Sequence, residues 1–201
     1  MPDPFSDLAQ ELARLPGFGR RSAERAALAL VGRGAAAITP LVEALVAARD
    51  GLDSCRRCGA VMPRGGELCR ICSDPGRDAG LVLVVEDPGD ILAIERSGAF
   101  RGQYHALRAL VSPQAGTSAA DTTIPALESR AASGAVREIV LALPTDVEGD
   151  ANAAYIRERL RKAAPSVRVS RLAWGLPADS AVRYSDPLTL RRAIAGRQTT
   201  D

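Results

Sequence analysis

Apolar positions in the first fifty residues recur with helical spacing. In FSDLAQELARL, Phe5, Leu8, Leu12 and Leu15 return every three or four residues, which lines one face of a helix. Beyond LPGFG a second helix is predicted over residues 21–31, with Ala23, Ala27, Leu28 and Val31 inward, and a third over residues 35–48. From residue 81 the texture changes to strands alternating with helices. LVLVVE (81–86) is a continuous apolar run, as a strand buried on both faces requires. The segment after it opens on Asp87 and Pro88 and closes on Gly98, which are helix start and stop signals. QYHALRAL (103–110) reads as a second strand, TTIPALESRAASG as a helix closed by Gly134, and VREIVLAL (136–143) as a third strand. A helix over GDANAAYIRERLRKAA and a fourth strand, VRVSRLA, follow. This alternation predicts an α/β fold with a parallel, Rossmann-like sheet and helices on its faces.

Between the two regions lies CRRCGAVMPRGGELCRIC, which holds every cysteine of the chain. Two C-x2-C pairs ten residues apart place four thiolates around one tetrahedral ion, and Gly59, Pro63, Gly65 and Gly66 supply the turns. A redox pair would need a single C-x-x-C beside a βαβ unit, and disulfides suit an oxidising compartment. The pattern predicts one structural Zn²⁺ per chain on Cys55, Cys58, Cys69 and Cys72. Four thiolates close the shell, whereas a catalytic zinc keeps a position open. The single histidine, His105, lies in an apolar stretch and reads as a packed strand residue rather than a ligand.

Composition narrows the function only slightly. The chain has 201 residues, is 46% apolar and carries a formal charge of +2, too little to announce a nucleic-acid binder. Of its 26 basic residues only Lys162 is a lysine, and the arginines are spread throughout, so any binding site must come from local clustering. No apolar run is long enough to span a bilayer, and a cytoplasmic location without membrane contact is expected.

Two clusters stand out. The apolar-Pro-Gly-apolar-Gly turn between the first helices has the helix-hairpin-helix pattern. Gly17 and Gly19 allow unusual dihedrals and close approach to a ligand. The helix N-terminus beyond them suits a phosphate, with Arg20, Arg21 and Arg25 alongside. The same pattern also describes a plain helical hairpin with a glycine cap. The second cluster is acidic. In open parallel sheets ligand-facing residues gather at the carboxyl ends of strands, where Glu86 follows the first strand and Asp146 and Glu148 follow the third. These carboxylates are candidate ligands for a divalent cation.

Taken in order, LPGFGRRSAERAALAL, CRRCG, ELCRICSDPGRD, VVEDPGDILAIERSGAFRGQYHAL, VEG and RLAWGLP resemble the RecR family of bacterial recombination mediators over essentially the whole chain. The resemblance implies a helix-hairpin-helix domain for DNA binding and oligomerisation over 1–54 and a zinc finger over 55–72. It also implies a Toprim domain over 80–175 and a helical oligomerisation tail over 176–201. It implies a homodimer or ring-like homotetramer at the nucleoid that binds gapped DNA, single- and double-stranded, without sequence preference. It further implies work with RecO and RecF in loading recombinase, and no catalytic activity. On this resemblance Asp90 joins Glu86, Asp146 and Glu148 in docking RecO. The chain departs from the family at Pro144 and Asp146, where small or neutral polar residues are expected. It departs again at Arg183, where an acid is expected beside Tyr184 and Asp186. Asp146 restores the D-x-E pair of metal-using Toprim enzymes, which makes weak Mg²⁺ binding plausible. An alternative class is therefore a Mg²⁺-dependent nuclease or primase. No cleavage-type tyrosine, histidine near the acids or P-loop accompanies them.

Overall fold

Helices α1 (Pro4–Ala13), α2 (Arg20–Arg33) and α3 (Ala35–Gly51) form the first of two units, Met1–Asp53, in a computed structural model that describes residues 3–173 and 186–195. Asp3 caps α1, accepting from the amides of Phe5 and Ser6. The α1–α2 contact is made by small side chains, and Ala9, Ala23 and Ala27 are the buried apolar residues of this unit. The expected inward positions are thus half right. Leu28 and Val31 are 61% and 52% exposed, because the alanine stripe, not the leucine face, lets the helices approach. Leu41, Val42, Leu45 and Val46 of α3 are exposed as well. Unit 1 therefore carries far more apolar surface outside than inside.

The second unit, Ser54–Asp201, is built on a parallel four-stranded sheet in the order β4-β3-β5-β6. Its strands are β3 (Asp78–Val85), β4 (Gly102–Ala106), β5 (Glu138–Ala142) and β6 (Arg168–Arg171), with helices α4 (Pro88–Ser97), α5 (Ile124–Ala132) and α6 (Val147–Ala163) between them. Period-two alternation along β3 divides the core. Val82 and Val84 join Ile124, Leu127, Ile139, Leu141, Ile156 and Leu160 on one face. Leu83 and Val85 face the other way, packing with Ile91, Tyr104, Ala106 and all four cysteines. A short ribbon of β1 (Leu52–Ser54) and β2 (Val61–Pro63) accompanies the cysteine segment, and α7 (Pro187–Ala195) ends the described chain. Arg183, Tyr184 and most of the expected tail lie outside the described residues. Asp186 caps α7 by accepting from the Thr189 amide.

The edge strand β4 is not left open. Ala106 N donates to Cys58 O at 2.9 Å, and the Gln103 side chain donates through Nε2 to Ile71 O at 3.4 Å. The cysteine module thus seals the sheet edge as well as part of one face, which removes a template for unwanted strand pairing.

Two departures from the expected boundaries have a clear physical cause. The second strand ends at Ala106 rather than at residue 110, because Arg108 takes the left-handed φ of 68° and turns the chain away. Helix α6 begins at Val147, not Gly149, because Asp146 is its cap and accepts from the Gly149 amide at 2.8 Å. Gly149 itself is required by space: a Cβ there would lie 2.1 Å from Pro144 O. Only glycine lets β5 turn so tightly into α6.

Candidate metal centre, hairpin and acidic edge

All four cysteines are buried, and their Sγ atoms lie within 4.8 Å of one another. Cys58 Sγ and Cys69 Sγ are 3.5 Å apart. Ligands at about 2.3 Å from a tetrahedral zinc stand about 3.8 Å from each other, so the cluster has the size the ion needs. Two amides point at the sulfurs: Ala60 N at Cys58 Sγ and Cys69 N at Cys55 Sγ, both at 3.4 Å. Such donors stabilise thiolates. The thiols also disturb one another. The hydrogen bond with Cys72, then burial, pushes Cys58 far up, and burial first raises Cys69. Against the pull of burial, the amides of Cys69, Cys58 and Arg57 bring Cys55 down to about 6. Four sulfurs so close cannot all ionise without a cation among them, and a divalent ion would relieve that conflict. Among the described residues this is the one group arranged to hold a metal ion.

His105 is buried on β4, with Nε2 2.9 Å from Thr123 Oγ1 and 3.1 Å from Thr123 O. Burial lowers it to about 4, so at neutral pH it is an uncharged brace between β4 and the start of α5.

In the hairpin, Gly17 has φ +81°, a backbone that side chains other than glycine's rarely tolerate. Gly19 does not share this need: its φ is −90°. What it contributes is openness, since nothing lies within 4 Å of where a Cβ would stand. Gly19 N is taken up by Ser22 Oγ at 2.8 Å, while the first-turn amides beyond it have no intrahelical acceptor. Arg20 is tied to Glu24 at 3.2 Å. Arg21 and Arg25 are exposed and in no ion pair among the described residues. The three arginines expected to act alike are therefore two free cations and one partly neutralised one.

The sheet topology explains the acidic edge. β3 lies between β4 and β5, and the crossovers leave it on opposite sides, so a crevice opens at its carboxyl end. Glu86 directly follows β3, and Asp146 and Glu148 follow β5. Two of the acids also have local tasks. Asp146 Oδ1 caps α6, and Asp90 Oδ2 accepts from Asp87 N at 3.1 Å while Asp87 caps α4. Arg171 pairs with Asp150 at 2.6 Å and donates through Nη2 to Pro144 O. Burial, and then the charges of Asp90, Asp146, Glu148 and Asp87, raise Glu86 above its ordinary value. With the folded value above the unfolded one, the native state holds more protons between the two, so this group's contribution falls as pH rises through them. Glu86→Gln should therefore be at least as stable as the parent at pH 7, with the gap closing toward pH 4. Melting temperatures in matched buffers read this, and a variant that loses ground at pH 7 would contradict it.

Sequence reasoning missed Asn152. Its Oδ1 accepts from Val111 N at 2.8 Å, and its Nδ2 donates to Val111 O and Glu148 O. It pins the loop after β4 to the first turn of α6, beside the acidic edge. A lone amide among the apolar residues of a helix was the available signal.

A helical hairpin with open glycines, a four-cysteine centre and a parallel sheet with acids at its switch point define a helix-hairpin-helix and Toprim protein. Family comparison agrees: a Toprim domain profile matches residues 80–173 and the profile described as "RecR, helix-hairpin-helix" matches 5–49. Relatives named "Recombination protein RecR" are similar along nearly their full length. That of Desulforudis audaxviator is 44% identical over 95% of this chain and 94% of its own. That of Acidothermus cellulolyticus is 40% identical over 98% and 97%. This chain belongs to the RecR family.

Proposed function

We propose that the chain is a non-catalytic DNA clamp and adaptor of recombinational repair. It binds gapped DNA, single- and double-stranded, through sequence-independent phosphate contacts, and acts with RecO and RecF to load recombinase. The observation that carries this reading is the pair of exposed guanidiniums, Arg21 and Arg25, in no ion pair among the described residues, beside the open Gly17–Gly19 turn in a RecR-family chain. Phosphate-directed binding needs cations that are not already neutralised. Cys55, Cys58, Cys69 and Cys72 hold one structural zinc, and the protein works at the nucleoid in the cytoplasm.

Self-association supplies what a low net charge lacks. Three buried alanines are a small core for a unit of this size. The exposed Leu28, Val31, Leu41, Val42, Leu45 and Val46 are covered by a second copy, giving a dimer or a tetrameric ring in which the DNA-binding turns add. The acidic edge, Glu86, Asp90, Asp146 and Glu148, serves RecO docking, with weak Mg²⁺ binding as a secondary property. Acids engaged in caps suit a docking edge better than a metal cradle. The decisive assay is recombinase assembly on gapped DNA coated with single-strand-binding protein. The parent should stimulate it together with RecO, and Glu86→Ala should lose RecO binding while keeping DNA binding. Mg²⁺-dependent nicking by purified protein, abolished by Asp146→Asn, would overturn the adaptor reading.

A further inference from the structure

Arg130 is a cation in the wrong place for an ordinary surface arginine. It projects from α5, and its Nη1 donates to Tyr104 O at 2.7 Å, closing another outward-facing group of the edge strand β4. Tyr104 is fully buried in the same core cluster as the four cysteines. Ala106, two residues on, bonds to Cys58 O. The guanidinium is thus held at the seam between the Toprim sheet and the cysteine module. No carboxylate pairs with it among the described residues. A cation drawn out of water needs a compensating charge, and one carbonyl does not supply it.

Tyr104, whose carbonyl Arg130 holds, shares its buried cluster with all four cysteines, the only source of negative charge in that cluster. Burial first lowers Arg130, and the thiolates of Cys72, Cys58 and Cys55 oppose this, while Arg57 adds repulsion. His105, neutral at this seam, brings no charge of its own. Arg57 lies inside the first C-x-x-C and donates to Cys72 O at 3.3 Å. One guanidinium therefore approaches the cysteines from within the module and the other from the Toprim helix. Four thiolates around a Zn²⁺ leave roughly two excess negative charges. The two cations match that excess.

We propose that Arg130, assisted by Arg57, is the counter-charge of the zinc–thiolate centre, so that retention of the metal depends on a positioning residue in the Toprim domain. The proposal rests on the zinc reading above. It makes the metal and α5 mutually dependent: without zinc Arg130 is a partly buried cation beside sulfurs that do not all ionise, and without Arg130 the thiolate shell carries uncompensated charge. Groups outside the ligand sphere commonly alter metal affinity by about 10–100-fold.

Zinc transfer from the purified full chain to the chromogenic chelator 4-(2-pyridylazo)resorcinol tests this. Arg130→Gln keeps an N–H for Tyr104 O but removes the charge, and should release zinc about ten-fold faster than the parent. Arg130→Lys should stay close to the parental rate. Arg57→Gln, at an exposed position, should accelerate release in the same direction but by less. If Arg130→Gln does not fold, Arg57→Gln decides: parental release from it overturns the proposal. Parental release from Arg130→Gln, or Arg130→Lys as fast as Arg130→Gln, also overturns it, leaving the guanidinium as a cap for Tyr104 O. Absence of zinc from the parent is a different failure, read on the parent alone, and it removes the zinc reading together with this one.

Discussion

Cys58→Ala, purified beside the parent, is expected to lose the zinc proposed for the cysteine centre and with it the fold of the second unit. Structural zinc in small modules contributes about 10–16 kcal/mol, against a typical net stability of about 5–15 kcal/mol. Even a fraction of that loss is decisive here, because the cysteines are not a detached finger. They share one core with Leu83, Val85, Ile91, Tyr104 and Ala106 of the sheet and its α4 side. Cys58 also presents its carbonyl to Ala106 N. Disorder in the module therefore uncovers the edge of β4 and a face of β3. Zinc content should fall from one per chain, cooperative melting should disappear, and amide exchange at Ala106 should accelerate. A zinc-free protein with the parental melting curve would contradict this.

Arg21→Ala combined with Arg25→Ala should abolish most of the binding to gapped DNA at physiological salt. Each lost phosphate contact should lower the log–log salt slope by about 0.9 on duplex and about 0.7 on single strands. In an assembly of several chains these losses multiply. Arg20→Ala is the internal comparison. Its guanidinium is already engaged by Glu24, so its effect should be distinctly smaller. Fluorescence anisotropy across a salt series reads both quantities. Unchanged affinity and slope in the double variant would reduce the hairpin to a structural turn.

Much of the candidate site could be read from short stretches. The cysteine centre was legible because spacing along eighteen residues, with glycines between, constrains where four sulfurs go, and the structure brings the Sγ atoms together. The acidic edge was legible in part: Glu86 ends a strand whose apolar run is unmistakable, and Asp146 and Glu148 follow another. Their second occupations were not. Asp146 reads as one half of a D-x-E pair, yet it caps α6, and a cap is visible in sequence only once the helix start is known. The two glycines of the hairpin look equivalent in LPGFG, but only Gly17 has a positive φ.

The sequence by itself determined the helices, the strand run of β3, the four-cysteine cluster and the order of the two units. Each rests on interactions within a few residues: periodicity, turn chemistry and ligand spacing. Tertiary structure decided which apolar faces stay open, as at Leu28 and Val31, where an alanine stripe set the helix contact. It decided the rise in Glu86, which comes from burial and from charges at the start of α4 and at the start of α6. It also decided the place of Arg130, which stands 58 to 75 positions from the cysteines in sequence and beside their module in space. Burial and Coulomb energy depend on distances through space, and a linear pattern specifies those distances only within a single element.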